Sequence, residues 1–270
     1  MKRRMLTMLV IAISAMTLLA GCSKKDDGVF KVGMEAAYAP FNWTQIDDSN
    51  GGVPIEGSAE FAGGYDVEIA KKIADGLGQK LVIVKTEWDG LVPALVSGKI
   101  DAIIAGMTPI ADRKETIDFS ANYYKSDLVM VVKKGSAYES ATSIQDFSGA
   151  KITAQLNTFH YSVIDQIEGV VKETAMDNFP AMRVALEAGA IDGYVSERPE
   201  GVSASTANDK LAMVVFQNGF TTSEDDTAIA VGLKKKSTFT DKINTTLAGI
   251  SEEDRISIMD QAILNQPAAE

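Results

Sequence analysis

Two oppositely charged side chains draw attention because each follows an apolar run that predicts a buried β-strand. Arg113 lies shortly after the run 102–105, and Glu197 lies just past a second run, 193–195. A guanidinium presents a planar fork that binds a carboxylate through two hydrogen bonds, and a glutamate binds an ammonium group through charge-assisted hydrogen bonds. Together the two side chains could bind the opposite poles of one small zwitterion.

Each residue also has a simpler interpretation. Arg113 could form a solvated pair with an acidic neighbour on its own helix, and Glu197 could pair with Arg198 at the surface. Catalysis is not indicated, because the sequence shows no nucleophile–base pair, no cluster of metal ligands and no conspicuous general base. His160 is the only histidine and stands alone in a predicted helix, so we expect neither a metal-binding nor a catalytic role for it.

The two strand-forming runs belong to a sequence that occurs twice. Residues 94–106 read ALVSGKIDAIIAG, and residues 185–197 read ALEAGAIDGYVSE. In each, a helical run ends at a glycine, Gly98 or Gly189, which suits a left-handed helix cap, and a buried parallel strand follows. Ligands of open α/β sheets bind beyond the carboxyl ends of the strands. Unless the similarity is chance, it predicts two similar lobes that direct the residues after each strand into one cleft.

Strands and helices alternate along the rest of the chain. The predicted strands are 29–34, 80–85, 101–105, 128–132, 151–154, 170–173, 191–195 and 228–233, and the predicted helices are 65–77, 91–96, 111–115, 158–167, 180–187, 239–250 and 252–262. Thr108 and Pro109 are expected to open the third helix as N-cap and first residue. Segment 47–62 is rich in Gly, Asp, Ser and Asn, which predicts a surface excursion.

This alternation predicts an α/β fold of two Rossmann-like lobes with mixed, mostly parallel sheets and right-handed crossovers. Lobe 1 is expected to be discontinuous, with residues 29–124 and 228–270, and lobe 2 to comprise residues 125–227. The chain would cross between the lobes near 125–130 and near 222–228. Two crossing strands form a hinge, and a hinge allows the lobes to close over a ligand.

The N-terminus predicts a processing signal rather than part of the fold. A basic start and an apolar stretch lead to Leu19-Ala20-Gly21-Cys22, the pattern of a bacterial lipoprotein signal, so residues 1–21 are the expected signal peptide and residues 22–28 a lipidated tether. Cys22 is the only cysteine, so no internal disulfide forms. Removing residues 1–21 changes the net charge from −11 to −14, which argues against nucleic acid as a partner.

A series of motifs then resembles a known family. In chain order they are Val32–Glu35 with Tyr38–Phe41, Gly64–Val67, Trp88–Leu95, Gly98–Ala102, and Arg113 with Asp118–Ser120. The series resembles the polar amino-acid-binding proteins of bacterial ABC importers, extracellular solute-binding family 3, with the class II periplasmic-binding-protein fold. The chain departs from that pattern in a longer segment 44–63, in the absence of a Lys-Trp-Phe-Gly ending, and in Gln155-Leu156-Asn157-Thr158 where relatives have a glycine-rich phrase.

The resemblance implies a site for a free amino acid. The ligand-binding residues carried over are Glu35, Tyr38, Trp88, Ala105, Gly106, Met107, Thr108, Arg113, Gln155, Thr158 and Glu197. Arg113, with Thr108 and Thr158, would bind the carboxylate. Glu197, supported by the Gly106 carbonyl, would bind the ammonium.

Three of these residues would meet the ligand's side chain. Glu35 beside the rings of Tyr38 and Trp88 suits a cation, through ion pairing and cation–π attraction. Lysine, arginine or ornithine is therefore expected, and a neutral polar amino acid such as glutamine is the alternative.

The resemblance also implies the biological role. We expect a monomeric, extracytoplasmic binding protein, anchored to the cell membrane by a lipid on Cys22, that closes on its amino acid and delivers it to an ABC permease. No cofactor, no metal and no enzymatic activity are expected. An enzyme or the ligand domain of a sensor on the same fold is the alternative, and the lack of a second hydrophobic span argues against the sensor.

Overall fold

The computed structural model describes residues 28–267. The predicted signal peptide and the predicted lipid attachment at Cys22 lie outside the described residues. None of the helices between residues 28 and 267 combines the length and the hydropathy that a membrane span requires.

The described chain alternates short strands with helices. The strands are β1 Val29–Met34, β2 Ala37–Tyr38, β3 Asn42–Gln45, β4 Val53–Pro54, β5 Phe61–Gly63, β6 Lys80–Lys85, β7 Ala102–Ile103, β8 Asp118–Lys125, β9 Leu128–Lys133, β10 Lys151–Thr153, β11 Val171–Lys172, β12 Gly193–Glu197, β13 Leu211–Val214 and β14 Ala228–Leu233. The helices are α1 Tyr65–Leu77, α2 Leu91–Ser97, α3 Ala111–Thr116, α4 Phe159–Ser162, α5 Phe179–Glu187, α6 Arg198–Ala207, α7 Thr240–Ala248 and α8 Glu252–Asn265.

Two five-stranded sheets form the centres of two lobes. The lobe 1 sheet has the order β6-β1-β7-β14-β8, and the lobe 2 sheet has the order β11-β10-β12-β9-β13. The chain passes from lobe 1 to lobe 2 between β8 and β9 and returns between β13 and β14. The predicted two-lobed α/β fold is confirmed. Each sheet has two parallel and two antiparallel pairings, which is more antiparallel pairing than the sequence predicted. Each of these antiparallel pairs includes a strand next to one of the two crossings, β8 or β14 in lobe 1 and β9 or β13 in lobe 2.

Helix α1 shows how the core of lobe 1 forms. Its buried residues include Val67, Ile69, Ala70 and Ile73, the apolar positions of the predicted amphipathic helix. Gly78 ends the helix with φ 68°, a left-handed conformation that glycine adopts without a Cβ clash. Helices α7 and α8 pack on α1, so the C-terminal segment completes lobe 1.

The prediction for segment 47–62 is wrong in one respect. Part of the segment joins β3 in a small antiparallel sheet of order β2-β3-β5-β4. Ile55 is buried and forms a bridge with Ile83 of β6, which fixes this small sheet against lobe 1. Strands of two or three residues among turn-forming residues leave no alternating pattern, so the sequence did not reveal them.

Several element boundaries near the cleft also differ from the prediction. Helix α3 begins at Ala111 with Ile110 as N-cap, so Thr108 precedes the helix and does not cap it. The predicted helix 158–167 is the four-residue α4 followed by a 3₁₀ turn over Val163–Gln166. Strand β12 includes Glu197 as its last residue, so this carboxylate belongs to the sheet and not to the loop beyond it.

Candidate ligand-binding site

The two lobes contact each other through Glu35 and Gln155, two of the predicted site residues. Glu35 follows β1 in lobe 1, and Gln155 follows β10 in lobe 2. The Gln155 Nε2 group donates to both Glu35 carboxylate oxygens at 3.1 and 3.0 Å and to the Asp177 carbonyl at 3.0 Å. Both side chains are buried. The lobes are therefore closed on each other, with a lobe 2 amide on the lobe 1 carboxylate.

The environment of Glu35 disfavours its negative charge. The pKa of Glu35 is raised to about 7, mainly by burial and also by the nearby charges of Glu87 and Asp89, against the lowering effect of the Gln155 hydrogen bond. The amide of Gln155 is a neutral donor, and none of residues 28–267 forms an ion pair with this carboxylate. A cationic partner at the same position would favour the ionised form.

Tyr38 lies between two aromatic rings, one from each lobe. Its ring stacks on Phe41 of lobe 1 at 4.9 Å between centroids and on Phe179 of lobe 2 at 4.3 Å. Its hydroxyl is buried without a hydrogen-bond partner among the described residues. Burial raises the pKa of Tyr38 well above its ordinary value, and the carboxylate of Glu197 adds to this effect.

Gly106 is required where Tyr38 meets the loop after β7. Gly106 has φ 63°, and a Cβ at this residue would lie 2.7 Å from Cε1 of the Tyr38 ring. The Gly106 N–H donates to the Tyr123 hydroxyl at 3.1 Å, and that hydroxyl donates to the buried Asp66 at 2.6 Å. Burial raises the pKa of Asp66 to about 7, although the hydrogen bonds from Tyr123 and Asn42 oppose the rise.

Arg113 lies half-buried at the lobe boundary, without a counter-charge among the described residues. Its guanidinium donates to the carbonyl of Thr108 at 2.9 Å and to the carbonyl of Asn157 in lobe 2 at 2.8 Å, and it lies 5.0 Å from the centre of the Trp88 ring. No carboxylate of residues 28–267 lies within 4.0 Å of it. Burial lowers the pKa of Arg113 to about 10, so the guanidinium stays charged at neutral pH. The alternative pairing with an acidic helix neighbour is not observed.

Asn157 connects Arg113 to a second lobe 1 residue. Its side-chain amide donates to the Asp89 carboxylate at 2.8 Å, while its carbonyl accepts from Arg113. Asn157 has φ 55°, a left-handed conformation in which asparagine is one of the few common non-glycine residues. The neighbouring Thr158 hydroxyl donates to the Gln155 carbonyl at 2.7 Å and so orders its own loop.

Glu197 is the buried anion of lobe 2, with 5% of its surface exposed. Its Oε2 has no hydrogen-bond partner among the described residues, and its Oε1 lies 3.4 Å from Nε2 of His160. Arg198 turns away and pairs with Asp127 at 3.2 Å, so the alternative surface pair with Glu197 does not form. The carboxylate is thus buried with half of its hydrogen-bonding capacity unused.

The other predicted residues differ in what they offer. Ala105 and Met107 are buried, and the Met107 carbonyl accepts from the Ala230 N–H, which commits it to the sheet. A pocket of about 620 Å³ opens at the lobe boundary and borders Arg113 and Thr158. Residues 28–267 contain no group of three or more His, Cys, Asp or Glu side chains that could hold a metal ion.

Three residues at the lobe boundary were not among the predicted site residues. Phe179 covers Tyr38, Asn157 connects Arg113 with Asp89, and His160 contacts Glu197. Only Asn157 had a sequence signal, because asparagine stands within the phrase that replaces a glycine-rich one and tolerates a left-handed backbone. The other two contacts depend on how helices α4 and α5 meet the cleft.

Comparison with known families agrees with this geometry. Residues 30–264 match the model of the bacterial extracellular solute-binding proteins, family 3. The chain belongs to this family, which confirms the resemblance noted in the sequence. The family is one of solute-binding proteins.

Individual relatives differ in the solute that their names give. An L-cystine-binding protein of Escherichia coli is 30% identical over 237 residues, 83% of each chain. A probable histidine-binding protein of Campylobacter jejuni is 29% identical over 221 residues, 74% of this chain and 80% of the relative. An arginine-binding extracellular protein of Bacillus subtilis is 25% identical over 269 residues, 92% of this chain and 93% of the relative.

Solved structures share the fold over most of the chain. An amino acid ABC transporter substrate-binding protein of Streptococcus pneumoniae bound to L-arginine has a TM-score of 0.77 at 26% identity, with 88% of this chain and 94% of that one covered. An ancestral arginine-binding protein bound to glutamine has a TM-score of 0.71 at 29% identity, with 87% and 97% covered. The fold is therefore that of the class II periplasmic binding proteins.

Proposed function

We propose that this protein captures a free amino acid, preferably a basic one, between its two lobes and delivers it to the permease of an ABC importer. Hinge closure would bury the ligand, and the permease would receive it from the closed form. A lipid on Cys22 would hold the protein at the outer face of the cell membrane. The names of the arginine-binding and histidine-binding relatives support a basic ligand, and the family name supports a location outside the cytoplasm.

One observation supports amino-acid binding above the others. Arg113 and Glu197 are charges of opposite sign, one from each lobe, of which Arg113 is half-buried and Glu197 buried, and neither forms an ion pair with a formally charged side chain among residues 28–267. Burying an unpaired charge costs several kcal/mol. An α-carboxylate on Arg113 and an α-ammonium on Glu197 would supply both missing partners with a single ligand.

The charge balance favours a cationic side chain. The cleft brings together one half-buried cation, Arg113, and two buried carboxylic groups, Glu35 and Glu197. An amino acid with a neutral side chain would leave Glu35 to the amide of Gln155, whereas a lysine ammonium or arginine guanidinium would give it a charge-assisted hydrogen bond, which is roughly twice as strong. Reaching Glu35 requires Gln155 to move aside, and reaching the Tyr38 face requires Phe179 to move.

A neutral amide ligand is the second candidate, and one contact favours it. The amide of Gln155 already satisfies both oxygens of Glu35, so the side-chain amide of glutamine could do the same. The solved ancestral arginine-binding protein bound to glutamine shows that a relative of this fold accepts that ligand.

Calorimetry on the lipid-free chain from residue 23 onward tests the proposal. The protein is unfolded and refolded to remove any carried ligand, and then titrated with lysine, arginine, ornithine, histidine, cystine and glutamine. We expect a dissociation constant of about 1 μM or tighter for at least one basic amino acid, roughly −8 kcal/mol. No heat with any amino acid would reject the binding function, and glutamine binding alone would reject the basic preference.

Lipid attachment needs a separate test in cells. In the full-length chain, Cys22→Ala should move the protein from the membrane fraction to the soluble fraction outside the cytoplasm, because it removes the only thiol that a diacylglycerol could modify. A wild-type chain that leaves the membrane as readily as the variant would contradict the anchor.

A further inference from the structure

His160 is a buried side chain that contacts the proposed ammonium-binding carboxylate. It is 7% exposed, and its Nε2 lies 3.4 Å from Oε1 of Glu197. We propose that His160 is a positioning residue of the amino-acid site: it holds one oxygen of Glu197 so that the other oxygen stays directed at the ligand's α-ammonium. This inference rests on the proposed amino-acid binding and assigns a role that the sequence did not suggest.

The backbone of Glu197 is fixed, but its carboxylate is not. Glu197 pairs with Leu128 of β9 in the lobe 2 sheet, which sets where its side chain begins. Its side chain is long enough to rotate, and within residues 28–267 its Oε2 has no hydrogen-bond partner. In the part of the chain that the structure describes, His160 is the one basic side chain within 4.0 Å of it, since Arg198 pairs with Asp127 instead. Removing the imidazole would leave the carboxylate free to change orientation.

The unused hydrogen-bonding capacity points to a ligand. Oε2 of Glu197 and the hydroxyl of Tyr38 are both buried without partners among the described residues, and the Glu197 charge acts on Tyr38. Buried polar groups are normally hydrogen-bonded, so unpartnered ones at the same site suggest that a donor binds there. His160 lies on the other oxygen of the same carboxylate, and it can orient Glu197 without occupying the ligand's position.

Within residues 28–267 no other hydrogen bond or ion pair involves the imidazole. Its Nδ1 is also without a partner among the described residues, and helix α4, which carries it, is only four residues long. The distance to Glu197 exceeds the 2.7–3.2 Å of a typical hydrogen bond, so the contact is loose in this closed arrangement. We expect the contact to tighten when a ligand occupies Oε2, because the carboxylate then has one preferred orientation.

Two substitutions separate positioning from packing. Gln places its Nε2 amide near the position of the imidazole Nε2, whereas Phe fills similar volume and cannot donate. His160→Phe should weaken the binding of every α-amino acid by roughly tenfold or more, because an interaction with a charged group is lost. His160→Gln should stay within about threefold of the wild type. In a Glu197→Gln background, His160→Phe should add no more than about twofold, since residues that act through one another are not additive.

A spectroscopic measurement gives an independent answer. His160 is the only histidine of the chain, so in an untagged protein the imidazole signals of an NMR spectrum belong to it alone. Adding lysine to the wild type should shift these signals, and adding lysine to Glu197→Gln at saturating concentration should shift them much less. If His160→Phe does not fold, His160→Gln and the spectra still decide the matter.

The outcomes distinguish this inference from the proposed function. A wild type that binds no amino acid rejects the proposed function. A wild type that binds, together with a His160→Phe variant of equal affinity, rejects only the role of His160. Equal weakening by Phe and Gln, with imidazole signals that do not respond to ligand, would show that His160 only fills space.

Discussion

The two copies of the repeated sequence fold alike as far as their strands and differ directly after them. Gly98 and Gly189 both end their helices in the left-handed conformation, at φ 82° and 74°, and β7 and β12 both lie at the centre of a five-stranded sheet. After β7 the chain continues through a loop to Arg113, whereas β12 carries Glu197 as its last residue. The same scaffold thus delivers a cation from one lobe and an anion from the other, and the binding chemistry resides in the residues that follow.

The largest effect should come from the lobe 1 charge. Arg113→Ala should weaken the binding of all amino acids by about 2–5 kcal/mol, roughly thirtyfold to several thousandfold, because it leaves the ligand carboxylate buried without a partner. Calorimetry measures the loss. Arg198→Ala is the matched control, since Arg198 is an exposed arginine paired with Asp127, and it should bind like the wild type. An equal loss in both variants would mean that the effect is not specific to the cleft.

Removing the lobe 2 charge should cause the second-largest loss of affinity. Glu197→Gln keeps the shape of the side chain and an acceptor oxygen but removes the charge, so affinity for every α-amino acid should fall by roughly tenfold to a hundredfold. The control is Glu187→Gln in the same repeat, an acid that pairs with Lys210 at 3.1 Å outside the cleft. If Glu197→Gln spares neutral amino acids and weakens only basic ones, Glu197 binds the ligand side chain and not its ammonium.

Replacing Glu35 should change the preference between ligands more than the affinity for all of them. Glu35→Gln should weaken lysine and arginine by roughly tenfold while changing glutamine by less than about threefold, because only the cationic side chain loses a charge-assisted bond. Competition between lysine and glutamine measures this ratio directly. Glu56→Gln, an exposed acid that pairs with Lys31, should leave the ratio unchanged. Equal effects on both ligands would contradict the basic preference.

Removing the contact between the lobes at Asn157 should weaken binding less, and by the same factor for all ligands. Asn157→Gly keeps the left-handed backbone, since glycine adopts φ 55° freely, and removes the 2.8 Å hydrogen bond to Asp89. Closure loses one interaction, so affinity for all ligands should fall by roughly twofold to tenfold. Asp89→Ala should give a similar loss, and the double variant should add little. A fully additive double variant would show that the two side chains act independently.

The sequence predicted the fold best where apolar periodicity and glycine caps coincide. Helix α1 and strands β1, β6 and β14 have the bounds that were predicted. Helix α6 was missed because its sequence, RPEGVSASTA, has a weak apolar face, and its burial against neighbouring strands stabilises it instead. Local propensity is a weak predictor wherever tertiary contacts decide the structure.

The candidate site was likewise predicted only in part. Charged residues after strands, such as Arg113 and Glu197, could be identified from the sequence, because sheet topology places strand ends at a cleft. Contacts across the lobes, such as Phe179 on Tyr38 and Gln155 on Glu35, depend on how the lobes close, and no local pattern encodes that. His160 was set aside because a lone histidine in a helix does not reveal the strand it faces.

The final prediction concerns stability and compares how the two lobes compensate a buried acid. In lobe 2, Arg183 donates to Glu200 at 2.8 Å, whereas the side chains that donate to Asp66 of lobe 1, Tyr123 and Asn42, are neutral. Burial raises the pKa of Asp66 from 3.8 to about 7. Between roughly pH 4 and pH 7 the folded protein therefore holds a proton that the unfolded chain has lost, so the free energy of unfolding should decrease as pH rises through this range.

Asp66→Asn tests this difference, because it removes the titrating group and keeps an acceptor for Tyr123. Asn42 can turn its unpartnered Oδ1 toward the new amide, so the hydrogen-bond network survives. Urea unfolding of the ligand-free variant at pH 5 and pH 7.5 should show a smaller loss of stability with rising pH than the wild type, by about 1–2 kcal/mol. Glu35, whose pKa burial also raises to about 7, would account for part of the slope that persists. Asp75→Asn, an exposed acid on the same helix, should retain the full slope. An unchanged slope in Asp66→Asn would mean that Asp66 is ionised throughout this range. Lobe 1 would then bury a charged carboxylate without a cation as readily as lobe 2 buries Glu200 beside Arg183.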